Sequence, residues 1–150
     1  MWSDVLKNWE KGTPFIYPTK ERFQWNTSVL KNDGLVPFHQ TFKENLDLPV
    51  NHDKTAFQKY IDNSQNKYAV AFPNLNKTSM LVIPMPRHGK NYATLKDFVD
   101  NAPKIQQQEF WKKVASVAKK YMKKWGEVWI SVHGLGVSYT HVRIDSTPKY

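Results

Sequence analysis

The sequence predicts an α+β fold, an antiparallel sheet with helices kept apart from the strands. Three observations predict it. Two apolar runs, KYAVAFPN and MLVIPMP, lie close enough along the chain to pair antiparallel. A long amphipathic stretch, FWKKVASVAKKYMKKW, follows them and reads as one helix. Two more strand-like runs then flank a glycine turn near the end. Strands in runs with segregated helices, rather than strict alternation, are the α+β pattern.

The elements follow in order. The N-terminal stretch is rich in aromatics and proline, with Trp2, Trp9, Phe15, Tyr17, Phe23 and Trp25. Asp4 to Trp9 reads as a short helix opened by Ser3 or Asp4. Gly12 to Tyr17 reads as a loop. Phe23, Trp25 and Val29 to Leu30 suit a strand or hairpin, because Asp33-Gly34 is a strong turn signal. Pro37 to Leu46 is expected as a helix ending before Pro49. Asp53 to Asp62 is expected as a helix with Asp53 as cap and Phe57, Tyr60 and Ile61 inward. KYAVAFPN is a buried strand stopped at Pro73, Lys77 to Ser79 a turn, and MLVIPMP a strand stopped at Pro84 or Pro86. Thr94 to Asn101 is a short helix and Pro103 to Trp125 a long one, ended by Gly126. Glu127 to Val132 is a strand, His133 to Gly136 a tight turn, and Val137 to Ile144 the last strand. No repeat, linker or low-complexity tract divides the 150 residues, so one domain is expected.

Composition narrows the class. Hydrophobic residues make 40% of the chain and aromatics 14%, enough for a packed core. No run of about 18 apolar residues suggests a membrane span, and no leader pattern follows Met1. Cysteine is absent, which removes disulfides, thiolate metal sites and cysteine nucleophiles and fits an intracellular, cytoplasmic setting. The formal charge of +9 favours an anionic partner. Lys112, Lys113, Lys119, Lys120, Lys123 and Lys124 fall in one arc of the long helix. Trp111, Val114, Val117, Ala118, Tyr121, Met122 and Trp125 fall in the other. The lysine arc reads either as a solvated face or as a phosphate-tracking surface for nucleic acid.

The last strand carries the chemistry. Ser138, Thr140, Val142 and Ile144 share one face; Val137, Tyr139, His141, Arg143 and Asp145 share the other. An imidazole titrates near neutral pH and can serve as nucleophile or base. A guanidinium offers a planar fork to phosphate, and backbone N–H groups of a turn at Gly134 and Gly136 can cradle an anion. This combination suits phosphoryl or nucleotidyl transfer, where positioning and charge neutralisation carry most of the catalysis. Equally, His141 and Arg143 can simply pair with carboxylates such as Asp145. His39 and His52 read as surface or capping residues. His88 sits in a basic loop, Arg87-His88-Gly89-Lys90, that can border the pocket. No H-x-H or H-x-x-x-H spacing supports a metal site from His88, His133 and His141. No P-loop, dinucleotide fingerprint or G-x-S-x-G elbow is present.

The order of these elements resembles the histidine-triad (HIT) superfamily of nucleotide hydrolases and transferases. Leu81, Val82, Ile83, Pro84 and His88 resemble its first signature, a strand with L-V-I-P and a histidine shortly after. Gly134, Val137, Tyr139, His141 and Arg143 resemble its second, a glycine turn before V-x-H-x-H-x-H. The likeness covers about half the chain, from Lys67 to Arg143. A closer resemblance is to a group of HIT-like proteins of large DNA viruses, algae and bacteria, with the tail H-G-x-G-V-x-x-x-H-x-R-x-D-x-x-P-K-Y. His133, Gly134, Gly136, Val137, His141, Arg143, Asp145, Pro148, Lys149 and Tyr150 fit it position for position. That group also resembles this chain at Tyr92, Ala93, Leu95 and Phe98.

The resemblance implies a HIT-like sheet of about five strands with two main helices on one side. Residues 1–66 would be a divergent N-terminal part and 67–150 the HIT-like core. It implies that His141 holds the position of the histidine that attacks phosphorus. Tyr139 and Arg143 stand where the outer histidines would be, and Pro73 lies near the place of a further one. The expected activity is phosphoester hydrolysis or nucleotidyl transfer on a nucleotide or other phosphate-bearing small molecule, without a cofactor. His141, His133 and Tyr139 would be catalytic; Arg143, Lys149, Gly134, Gly136 and His88 would hold phosphate. Non-catalytic nucleotide or anion capture on the same fold is the alternative, and nucleic-acid binding through residues 104–125 the third. A homodimer and, for the viral group, the cytoplasm of an infected host cell are the settings the resemblance implies.

Overall fold

The computed structural model describes residues 11–12, 25–31, 34–42, 54–73, 78–86, 92, 95–133 and 141–146; residues 25–29, 31, 34–42, 54–57, 95–96 and 132–133 are described by backbone alone. The strands are β1 (Trp25–Lys31), β2 (Gly34–Phe42), β3 (Ala69–Pro73), β4 (Ser79–Pro84), β5 (Val128–His133) and β6 (His141–Asp145). The helices are α1 (Lys54–Asp62), α2 (Leu95–Asn101) and α3 (Lys104–Trp125). The fold is α+β: the strands form one antiparallel sheet in the order β2-β1-β5-β6-β4-β3, with the long helix packed on it.

The main core lies between the sheet and α3. Strand residues Leu30, Ala69, Val82, Val128, Ile130, Val142 and Ile144 meet Phe110, Trp111, Val114 and Ala118 there. Apolar residues alternate along the strands because successive side chains point to opposite faces. The apolar arc of α3 meets them as its spacing predicts, while Lys112, Lys120, Lys123 and Lys124 are exposed and Lys113 and Lys119 half-buried. The long helix ends at Gly126, whose φ of 88° is left-handed and whose N–H bonds Met122 O at 2.7 Å. That conformation costs glycine little. Between the two helices of this face, Gln107 Nε2 donates to Val99 O and Ala102 O, each at 3.0 Å, satisfying carbonyls that the end of α2 leaves open.

Two buried features tie the layers together. Gln106, in the first turn of α3, accepts from Tyr92 Oη at 3.0 Å. It donates to Met85 O at 2.9 Å and Tyr68 O at 3.3 Å. The amide thus joins the helix to the β3–β4 pair. Phe98 of α2 packs edge-on to both Tyr92 and Phe110, with ring centroids 5.2 and 5.1 Å apart. At the other end of the chain Gly12, with φ of 95°, lies directly against the backbone of Gln108.

The opposite face has its own smaller cluster. Val70, Phe72 and Ile83 are buried there beneath Tyr60 and Ile61 of α1, and Tyr60 stacks on Phe72 at 5.2 Å.

Two expectations need correction. The helix expected over Pro37 to Leu46 is strand β2 as far as Phe42, and residues beyond it lie outside the described set. β2 runs straight back along β1, with Lys31 opposite Gly34 and Ser28 opposite Pro37. β2 is the sheet's edge, where a proline without an N–H is tolerated. Ser79, expected in a turn, opens β4. The expected helix over Asp4–Trp9, the Asp53 cap, and the turn and first half of the last strand (134–140) lie outside the described residues.

Candidate functional site

β6 sits inside the sheet, between β4 and β5. Its residues divide as the period-two pattern requires. Val142 and Ile144 are fully buried in the core beneath α3, while His141 and Arg143 are half-buried on the opposite face. Asp145 belongs to that second row and is also buried. Register sets their neighbours. Leu81 and Ser131 flank Arg143, and Ser79 and Trp129 flank Asp145.

These polar groups form a closed array. Arg143 Nε donates to both oxygens of Asp145, at 3.1 and 3.2 Å. Arg143 Nη2 donates to Ser79 Oγ at 3.3 Å, and Ser79 Oγ in turn donates to Asp145 Oδ1. The hydroxyl therefore acts as acceptor and donor at once. The carboxylate side chain is 3% exposed and the guanidinium side chain 27% exposed. A carboxylate at that depth needs a partner, and here it has a cation and a hydroxyl. The same bonds fix the guanidinium plane. Among the described residues Nη1 has no acceptor.

Of the expected site residues, His141 and Arg143 are brought together, two positions apart on one face of a central strand. The backbone of His133 lies directly opposite His141 in the β5–β6 register. Tyr139, Gly134, Gly136, His88 and Lys149 lie outside the described residues. Ser79 is the member that sequence reasoning missed. A lone serine beside the apolar run MLVIP was the available signal, but only register places it next to a residue 66 positions away. Ser131 is a second buried serine on this sheet, opposite Arg143.

The array can orient an anion beside an imidazole. It offers a held cation, part of whose donor set has no acceptor among the described residues, and a half-buried imidazole on the same surface. No three metal-ligating side chains cluster among the described residues. Among those residues, no helix is long and apolar enough to cross a membrane.

No curated protein and no solved structure matches the chain. A model of a family of unknown function, DUF6940, matches residues 2–150, and the chain belongs to that family.

Proposed function

We propose that this chain is a HIT-like phosphoester hydrolase or nucleotidyl transferase, with His141 as nucleophile or base and Arg143 as phosphate ligand. The observation that carries the reading is the anchored guanidinium. Asp145 and Ser79 hold Arg143 from below, and His141 lies two residues along the same face. A cation fixed before ligand arrives loses little freedom on binding, so less of its interaction with a phosphoryl group is spent on ordering it. Further support comes from the element order: two paired apolar strands, a short helix, a long helix and two closing strands.

In this reading an imidazole nitrogen of His141 forms a bond to phosphorus. The bond to the leaving oxygen breaks, and that oxygen takes a proton from His133 or Tyr139. Water or a second substrate then displaces the imidazole. Lys149, His88 and the turn at Gly134 and Gly136 would hold the remaining phosphate oxygens. His141→Ala should abolish turnover of a nucleotide substrate while its circular dichroism matches that of the parent protein. Full activity in that variant ends the catalytic role.

The partial neutralisation of Arg143 by Asp145 favours a second reading, capture of a phosphate-bearing ligand without turnover. Chromatography of the nucleotide after long incubation separates the two, since unchanged ligand supports capture. The exposed lysines of α3 support a third reading, nucleic-acid binding. It requires affinity that falls steeply with salt and is lost when Lys112, Lys120, Lys123 and Lys124 are neutralised.

A further inference from the structure

The far edge of the sheet holds a cleft of about 450 Å³, two strands away from β6. Lys59 of α1 and Lys113 of α3 reach it from opposite faces of the sheet. Asn63 and Gln65 line one wall, and Ala69 and Ala71 of β3 line its floor. No carboxylate lines it among the described residues.

Hydrogen-bond parity fixes what β3 offers this cleft. Met85 N donates to Tyr68 O at 2.9 Å, so that pair is a hydrogen-bonded one. In an antiparallel ladder such pairs alternate. Val70↔Ile83 and Phe72↔Leu81 are therefore hydrogen-bonded, and Ala69↔Pro84, Ala71↔Val82 and Pro73↔Met80 are not. Pro84, which has no N–H to give, falls in the non-bonded class as it must. Ala69, Ala71 and Pro73 accordingly turn their backbone polar groups away from β4. Asn66 Oδ1 already accepts from Ala69 N at 3.2 Å. Ala71 is half-buried and, among the described residues, retains both a donor and an acceptor, with Pro73 O beyond it. No strand covers that edge among the described residues.

We infer that this edge is a docking site for a short acidic peptide segment in extended conformation. The peptide would pair with the N–H and C=O of Ala71 and place carboxylates at Lys59 and Lys113. Paired donor and acceptor on one residue match a peptide backbone, whereas a nucleic-acid phosphate brings acceptors alone. A second copy of β3 in the same place would bring four ammonium groups together, which disfavours edge-to-edge self-pairing. The site is independent of the His141–Arg143 reading.

The test is fluorescence anisotropy with a labelled short peptide carrying two adjacent Glu residues between Val and Thr, so that their carboxylates point to opposite faces of the added strand. Three competitors are needed: the same peptide N-methylated at alternate amides, its Lys-for-Glu counterpart, and a single-stranded oligonucleotide of equal charge. Saturable binding of the acidic peptide is expected. N-methylation should abolish it, and the double variant Lys59→Glu/Lys113→Glu should weaken it roughly tenfold or more. Lys59 is exposed, and Lys113, though half-buried, also reaches the cleft, so a fold check by circular dichroism should show no change. Ala71→Pro should also weaken binding, because the N–H it removes points away from β4. Should that variant misfold, the N-methylated peptide on the parent protein still decides the point. Absence of saturable binding, indifference to N-methylation or to charge reversal, or displacement by the oligonucleotide each overturns the inference.

Discussion

Replacing Arg143 by methionine tests whether the polar array on β6 is a coupled unit. The Asp145 side chain is 3% exposed, so losing its cation leaves a carboxylate that water scarcely reaches. Removing one partner of a buried pair costs roughly 3–5 kcal/mol. Arg143 is 27% exposed and Ser79 still donates to the carboxylate, which places Arg143→Met at the low end, about 3 kcal/mol. Asp145→Val leaves a half-exposed guanidinium that water can serve, at about 2 kcal/mol. The double variant removes both charges and takes from the buried Ser79 hydroxyl the two groups it bonds in the array, so it should also lose about 2 kcal/mol. Additivity would require about 5, and the coupling is therefore about 3 kcal/mol. Urea unfolding followed by the fluorescence of the six tryptophans measures all four proteins. A double variant whose loss equals the sum of the singles within about 0.5 kcal/mol would refute the coupled array. The same protein also separates stability from function. Still folded, the double variant should no longer bind a phosphate-bearing ligand if Arg143 holds the anion, and should bind it unchanged if the pair only props the sheet.

Gln106→Ala should cost about 3 kcal/mol, because Tyr92 Oη and Met85 O lose their amide partner inside the protein. Gln106→Glu should be worse at pH 7. The introduced carboxylate would face two carbonyl oxygens, which raises its pKa in the folded state above the unfolded value. Stability is then greatest below the unfolded pKa and falls as pH rises through the folded one, so a urea series from acid to neutral pH should show the variant weakening. A flat profile would contradict the buried contacts. Gly12→Ala should lower the melting temperature by several degrees. A Cβ there would stand 2.6 Å from Gln108 O on a left-handed residue, a loss of about 2 kcal/mol. An unchanged melting curve would remove the contact between that turn and α3.

What the sequence made legible follows from how local each signal is. The alternation of His141, Val142, Arg143 and Ile144 needs only the two-residue period of a strand, so the face that holds His141 and Arg143 could be assigned without knowing any partner. The Arg143–Asp145 bond is legible for the same reason, since two residues two apart on one strand share a face. Gly126 and the lysine arc of α3 are equally local. The failures are those that depend on register or on sheet position. Pro37 argues against a strand unless that strand is an edge, and nothing near it in sequence says that β2 is one. Gln106 looks like any polar residue in a helical first turn until Tyr68 O and Met85 O are brought beneath it.

Ser79 shows the limit most sharply. Its role exists only because β4 and β6 are neighbours in a register that sets it opposite Asp145. A one-residue slip of that register would turn Ser79 to the other face and set Thr78 or Met80 opposite Asp145 in its place. The hydroxyl therefore does two jobs: it completes the array that orients the guanidinium, and it ties that array to one register of the central sheet. Ser79→Ala removes both by deleting a single oxygen. Its effect on ligand affinity should exceed what its modest effect on stability alone would produce, because a guanidinium held by one partner samples more orientations than one held by two.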